Sequence, residues 1–167
     1  MSGTNITYRI EVSVVQQQLR LFDDDICIRQ YRVATAANGV GEKNGSEQTP
    51  RGKHYIRAKI GQGKSVNTVF TGRRDTGELF SESLREQFPD RDWILTRIMW
   101  LCGCESGINR GGNVDTMRRY IYIHGAPDSD AMGVPSSHGC IKMRNTDIIE
   151  LFDIAPVGTP VIIMEGG

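Results

Sequence analysis

The sequence predicts a single, mainly β domain spanning residues 1–167, a sandwich or a barrel with one or two short helices. Three features lead there. The 167 residues fall within the roughly 100–200 expected of one domain, and no repeat, low-complexity tract or linker divides them. The apolar residues come in short runs, several alternating with polar ones at the two-residue period of a half-buried strand. Helical spacing shows only near Thr146 and, for a single turn, at Leu84–Phe88. A chain of this size buries about 70% of the surface its unfolded form exposes, so it can hold a core without staples.

The elements run in order along the chain. Ile6, Tyr8, Ile10, Val12 and Val14 alternate with Thr7, Arg9, Glu11 and Ser13, the clearest strand in the chain. Leu19–Phe22, a turn at Asp23–Asp25 and Ile26–Val33 read as a hairpin. Its apolar phase shifts between Ile28 and Tyr31, which predicts a bulge near Arg29-Gln30. Residues 37–52, with Gly39, Gly41, Gly45, Pro50 and Gly52, form a long loop, and in a compact domain such loops are functional or disordered. His54, Ile56, Ala58 and Ile60 alternate as a strand, whereas residues 61–91 read as irregular apart from the turn at Leu84. Ile94–Cys102 is apolar and β-branched and predicts a central strand, with a glycine-rich loop after it. Tyr120–Ile123 predicts a strand that delivers His124 at its end. Thr146 or Asn145 can cap a helix with Ile148, Ile149 and Phe152 on one face, and Pro156 stops it. Val161–Met164 closes the chain as a strand.

Twenty Lys and Arg balance twenty Asp and Glu. A nucleic-acid-binding protein carries a positive surplus that is absent here, and the same balance disfavours attachment to an anionic membrane. The longest apolar run, Ile98–Cys102, has five residues, against about 18 for a membrane-spanning helix. The first thirty residues hold no continuous apolar segment of a secretory signal. The expectation is a cytoplasmic chain as written, or an envelope protein whose leader is missing. Four cysteines, Cys27, Cys102, Cys104 and Cys140, are too few for a disulfide framework at this length. Of the three histidines, His54, His124 and His138, two lie within sixteen residues of Cys140.

That clustering is where chemistry is expected. A free thiol has a pKa of about 8.5 and is only a few per cent ionised at neutral pH. A histidine within about 3–4 Å can take its proton and leave a thiolate–imidazolium pair. His138, two residues before Cys140 in a Ser-His-Gly turn, is one candidate. His124 is the favoured one: strand parity sets Tyr122 and His124 opposite Ile121 and Ile123, so if the isoleucines face the core, His124 faces a cleft. No Asp or Asn is placed to orient it, but a backbone carbonyl can do so through the other ring N–H. Gly139 allows a sharp turn in which the N–H groups of residues 138–140 converge on a carbonyl oxygen. Taken singly, each has a plainer reading, since a lone cysteine is usually a small buried hydrophobe. Their conjunction in one stretch is what favours chemistry.

The stretch Ser137-His138-Gly139-Cys140-Ile141-Lys142-Met143, with His124-Gly125 sixteen residues before the cysteine, resembles the signature of the L,D-transpeptidases of the YkuD family. Thr49-Pro50-Arg51-Gly52, Met132-Gly133-Val134-Pro135 and the closing strand at residues 160–163 extend the resemblance over most of the chain. It implies a mainly β catalytic domain and a cysteine acyltransferase acting on peptidoglycan stem peptides. Cys140 would attack the carbonyl of the third residue, usually a diamino acid, of a tetrapeptide stem. D-Ala would leave, and an amine would resolve the thioester. By the same resemblance His124 is the general base, the Gly125 carbonyl orients it, His138 and Gly139 belong to the oxyanion region, and carbapenems acylate the cysteine. Lys142 departs from the pattern, standing where Arg is commoner, which keeps the charge but loses a bidentate grip.

Carboxylate-gripping candidates are Arg73-Arg74, Arg118-Arg119, Lys142 and Arg144, with solvated surface charge as the plainer reading. Arg118, which shares the parity of Tyr122 and His124, and Arg144, four residues past the cysteine, are preferred. Ser137, Tyr122 and Lys142 complete the expected substrate-binding set. No metal or organic cofactor is expected: Cys102-x-Cys104 with Cys140 and His138 lacks zinc-site spacing. The expected partners are peptidoglycan stems, with no nucleic acid and no membrane span, and the chain is expected to be a monomer. The competing readings are an L,D-carboxypeptidase that uses water, a non-catalytic wall-binding module and a zinc-binding structural domain.

Overall fold

A computed structural model describes residues 6–167. Ten strands form one sheet: β1 (Tyr8–Ser13), β2 (Gln18–Asp23), β3 (Ile26–Ala34), β4 (Gly52–Ile60), β5 (Thr68–Thr71), β6 (Arg74–Leu79), β7 (Ile94–Gly103), β8 (Tyr122–Ala126), β9 (Ile141–Arg144) and β10 (Pro160–Met164). Two helices accompany them, α1 (Glu82–Gln87) and α2 (Asn145–Ile154). The order β4-β10-β1-β2-β3-β9-β8-β7 closes on itself because β7 also pairs with β4. The answer to sandwich or barrel is therefore a barrel-like ring of eight strands, with the β5–β6 hairpin outside it. One edge of β7 carries β8. The other is shared, Ile94 and Leu95 going to β5 and Ile98–Gly103 to β4.

The alternation read from the sequence sorts residues between the inside and outside of this ring. Ile10, Val12, Leu19, Leu21, Val33, Ile56, Leu101, Ile121, Ile123, Ile141, Val161 and Ile163 form one buried cluster, which α2 completes with Ile148, Leu151 and Phe152. A smaller cluster of Phe70, Ile98 and Tyr122, with Trp100 and Cys140 against it, lies outside β7 and β8. The site is built on that outer face.

Several expectations need correction. Residues 61–91 hold the β5–β6 hairpin, joined by the two-residue turn Gly72-Arg73. It was not legible because β6, Arg74–Leu79, is polar and mostly exposed and shows no apolar alternation. The bulge in the β2–β3 hairpin falls at Ile28, just before the expected Arg29-Gln30, where Leu21 faces Arg29 and Phe22 faces Cys27. Strand β8 starts at Tyr122 rather than Tyr120, because Tyr120 has φ +56° and breaks the extended run. His124 is thus the middle residue of its strand. Helix α2 begins at Asn145 without a side-chain cap, and Ile149 is only half-buried. No helix among the described residues is long and apolar enough to cross a membrane.

Asn145 is otherwise engaged. Strand β7 bulges at Thr96-Arg97, and Thr96, a β-branched residue at φ +75°, is held in that strained conformation by its partners. Its hydroxyl donates to Asn145 Oδ1 at 2.6 Å and accepts the Asn67 N–H at 3.0 Å. Asn145 Nδ2 then donates to Asn67 Oδ1 and Asp128 Oδ1, both at 3.1 Å. This fully buried side chain ties the β7 bulge, the loop after β8 and the start of α2 together. Asn145→Ala strands these buried partners and is expected to cost about 1–3 kcal/mol of unfolding free energy, read from urea denaturation. Asn145→Asp, which keeps the shape but loses both donors, should cost at least as much.

Candidate functional site

The parallel pair β8–β9 sets Ile123 opposite Ile141 and His124 opposite Lys142. The isoleucines point into the core, and by the two-residue period His124, Tyr122, Lys142 and Cys140 point outward. There they line one cavity of about 550 Å³ together with Arg73, Arg119, Tyr120, Asp130 and His138, a size usual for small-molecule and peptide sites.

Cys140 sits half-buried just before β9. Its sulfur accepts the Tyr122 N–H at 3.3 Å and its S–H donates to the Tyr120 carbonyl at 3.5 Å. His124 is nearly buried, and its Nδ1–H donates to the Gly125 carbonyl at 2.6 Å. A carbonyl can only accept, so the ring is the Nδ1–H tautomer and Nε2 keeps its lone pair. No hydrogen bond joins the two side chains among the described residues: the thiol S–H is directed at the Tyr120 carbonyl. Burial drives the Cys140 thiol up to about 12, with Asp92 adding to it while the Tyr122 N–H and Arg119 oppose. Burial also drives His124 down to about 4, against the pull of the Gly125 carbonyl, with Lys142 lowering it further. Both shifts favour the uncharged forms, so the thiolate–imidazolium pair expected from the sequence is disfavoured before substrate binds. The physical reason is desolvation, which penalises both charged forms.

Close packing fixes the backbone around both residues. A Cβ on Gly125 would come within 2.5 Å of Asn145 Oδ1 and 2.6 Å of the Leu95 carbonyl oxygen. Gly139 has φ +130°, and a Cβ there would meet Ile121 at 3.0 Å. The Thr49 hydroxyl donates to the Gly139 carbonyl at 3.0 Å and accepts the Ala36 N–H at 3.0 Å. The long loop before β4 is thereby stitched to the cysteine turn.

The remaining expected residues divide. Tyr122 and Lys142 reach the cavity, and His138 stands at its exposed rim beside Asp92 at 3.3 Å. Ser137 lines it too, but its hydroxyl serves the turn, donating to the Cys140 carbonyl at 2.5 Å and accepting the Gly139 N–H at 3.2 Å. Of the three N–H groups expected to converge, that of Gly139 is thus occupied. Arg118 and Arg144 do not line the cavity. The positive φ of Tyr120 resets the parity on which Arg118 was chosen, so its neighbour Arg119 turns inward instead. Arg144 is exposed at the start of α2.

Arg73, Arg85, Arg91, Arg119 and Lys142 face the cavity against only Asp92 and Asp130, a cationic surface in a chain of zero net charge. Asp130 bridges Arg85 at 2.8 Å and Lys142 at 3.0 Å. Burial raises its carboxyl, but these two cations outweigh that and hold it below the usual carboxylate range. Arg85, Arg91, Asp92 and Asp130 had no sequence signal: Arg85 is a polar residue on a single helical turn, and the other three lie in stretches without period. Of the expected Arg73-Arg74 pair, the hairpin turn brings Arg73 to the cavity, while Arg74 starts β6 and does not line it. Among the described residues no three His, Cys, Asp or Glu side chains gather as a metal-binding group.

Comparison with known proteins shows the family and the fold. The pattern of the YkuD family, the L,D-transpeptidase catalytic domain, matches residues 7–163. A Bacillus licheniformis protein named as the L,D-transpeptidase YkuD is 28% identical over 158 residues, 95% of this chain and 66% of that protein. An Escherichia coli protein named as the L,D-transpeptidase ErfK/SrfK is 47% identical over 47 residues, 28% of this chain and 15% of that one. Among solved structures, an L,D-transpeptidase from Mycobacterium smegmatis superposes with a TM-score of 0.58 at 17% identity, covering 96% of this chain and 59% of that chain. L,D-transpeptidase 3 from Mycobacterium tuberculosis, solved with a faropenem-derived adduct, gives 0.59 at 17% identity, covering 96% and 61%. The chain spans just under two thirds of the Bacillus protein and about three fifths of each mycobacterial chain.

Two histidines buried in the neutral form make the fold sensitive to acid. Burial pulls His54 down to about 4, as it does His124, and His54 bonds the Gly52 carbonyl and the Thr116 hydroxyl. Unfolded, each takes up a proton near its ordinary value of 6.5. The unfolded state therefore binds more protons between 6.5 and 4, so stability falls as pH drops through that window and levels off below it. Urea midpoints are expected to track a loss of roughly 2–4 kcal/mol per histidine, and His54→Gln should flatten the slope by about half.

Proposed function

The chain belongs to the YkuD family of L,D-transpeptidase catalytic domains, and from that premise we propose that it is a cysteine acyltransferase acting on peptidoglycan stem peptides. One observation carries the reading. An imidazole locked as the Nδ1–H tautomer by the Gly125 carbonyl opens on the same cavity as the Cys140 sulfur, with the two residues on the outward face of paired strands.

The chemistry starts from the neutral pair. A tetrapeptide stem enters the cationic cavity with the carbonyl of its third residue against Cys140. The S–H turns from the Tyr120 carbonyl and breaks, its proton passing to His124 Nε2 as Sγ bonds the carbonyl carbon, giving a tetrahedral oxyanion. Base assistance at this step is worth about 10²–10⁴-fold. The C–N bond to D-Ala then breaks, His124 returns the proton to the departing amine, and a thioester remains on Cys140. An acceptor amine attacks the thioester carbonyl and passes a proton to His124, and Sγ leaves and takes that proton back. Keeping both groups neutral at rest avoids a standing charge pair in a desolvated site and leaves the thiol inert until substrate turns its proton toward the ring. His138 and Gly139 shape the turn that faces the oxyanion.

The experiment is mass spectrometry after incubation with a carbapenem and, separately, with a tetrapeptide stem. Wild type should gain one covalent adduct on Cys140. Cys140→Ser should gain none, and His124→Gln should acylate at least about 100-fold more slowly. Wild type without an adduct, or Cys140→Ser with one, would overturn the reading. Products formed with and without an added amine then identify the acceptor: a cross-linked product marks a transpeptidase, and a shortened stem despite abundant amine marks an L,D-carboxypeptidase.

A further inference from the structure

The β5–β6 hairpin belongs to no part of the chemistry above, yet its turn reaches the cavity. Arg73 occupies the second position of the two-residue turn, and its guanidinium lies 4.4 Å from the centre of the Trp100 ring and 5.2 Å from that of Tyr120. Its Nη1 donates to the Tyr122 hydroxyl at 3.2 Å. The platform beneath it is fixed: the Trp100 indole donates to the Met117 carbonyl at 3.0 Å, and Tyr122 is 2% exposed.

The other cations lining the cavity are already engaged. Lys142 and Arg85 share Asp130, and Arg91 holds Glu78 at 2.6 Å. Arg119 donates to the carbonyls of Gly41, Glu42 and Gln48 and to the Ser46 hydroxyl. Asp75, two residues along the chain, pairs with Lys64 at 3.2 Å, and Asp92, which lines the same cavity, lies 3.3 Å from His138. Among the described residues, Arg73 is the lining cation whose one hydrogen bond goes to a phenol. It is also coupled in space to the nucleophile. Tyr120 and Tyr122 hold the Cys140 sulfur with their backbone and the guanidinium with their side chains, so the two stand a tyrosine apart. A guanidinium seated over aromatic rings and hydrogen-bonded to a buried phenol, with free donors and no ion-pair partner among the described residues, is suited to receive a carboxylate.

We infer that Arg73 is the specificity-determining residue for the acyl donor, gripping a donor carboxylate while Cys140 takes the neighbouring carbonyl. This rests on the acyl-transfer reading above. The C-terminal carboxylate of a tetrapeptide stem offers this chemistry, as does a side-chain carboxylate where the third residue carries one, and amidation tells them apart.

The test compares thioester formation on Cys140 of the whole chain with three synthetic tetrapeptides: one with both carboxylates free, one amidated at the C-terminus, one amidated at the third side chain. Wild type should discriminate against one amide. Arg73→Met should slow the unamidated donor by about 10- to 100-fold, through KM more than kcat, and lose the discrimination, while its melting temperature shows that it is folded. Arg73→Lys, a point charge without the fork, should recover part of both. Wild-type rates in Arg73→Met, retained preference for the acid, or uniform slowing with all three donors would overturn the inference alone. Wild type that takes an acyl group from none of them would overturn the acyl-transfer reading and the inference with it.

Discussion

The parallel pairing of β8 with β9 is the constraint on which the site depends. Parallel neighbours cannot be joined by a tight turn and need a long crossover. Residues 127–140 supply it without a helix, returning the chain so that Cys140 arrives at the end of β8 that Tyr122 starts. The pleat then turns His124 and Cys140 to the same side and leaves Ile123 and Ile141 in the core. A one-residue slip would bury the imidazole side and expose the isoleucines, so the packing of the barrel interior itself holds the register of the site.

Around that pair the molecule separates two jobs. Close contacts set the backbone: Gly125 against Asn145 and Leu95, and Gly139 against Ile121 with its carbonyl on Thr49. Charge sets what can enter. Five cations meet two carboxylates around the cavity, although positive and negative residues are equal in number over the chain. The desolvation that keeps thiol and imidazole neutral at rest also strengthens the cationic field that an anionic ligand feels there.

Much of the site was legible because its parts are consecutive or related by strand parity. His124 was chosen over His138 by alternation with Ile121 and Ile123, and those isoleucines do lie in the core. The same reasoning failed for Arg118, since parity counts only along unbroken extended backbone and Tyr120 leaves it at φ +56°. The hairpin carrying Arg73 was hidden because a strand outside the ring, solvated on most of its surface, has no need of apolar alternation. Asn145 looked like a helix cap because Asn is a good one. Its buried amide is instead claimed by Thr96, Asn67 and Asp128, residues distant in the chain.

By itself the sequence determined the mainly β class, every strand of the ring except β9, the inward and outward faces of β8 and the local Ser137–Cys140 turn. Each of these follows from side-chain period, or from residues close enough along the chain to constrain one another. Tertiary structure alone decided that the sheet closes through β4 and β7, that the thiol S–H points to the Tyr120 carbonyl, and which arginines line the cavity. Those outcomes depend on burial and on contacts between segments dozens of residues apart. Desolvation and approach are properties of the packed chain, and no spacing along it encodes them.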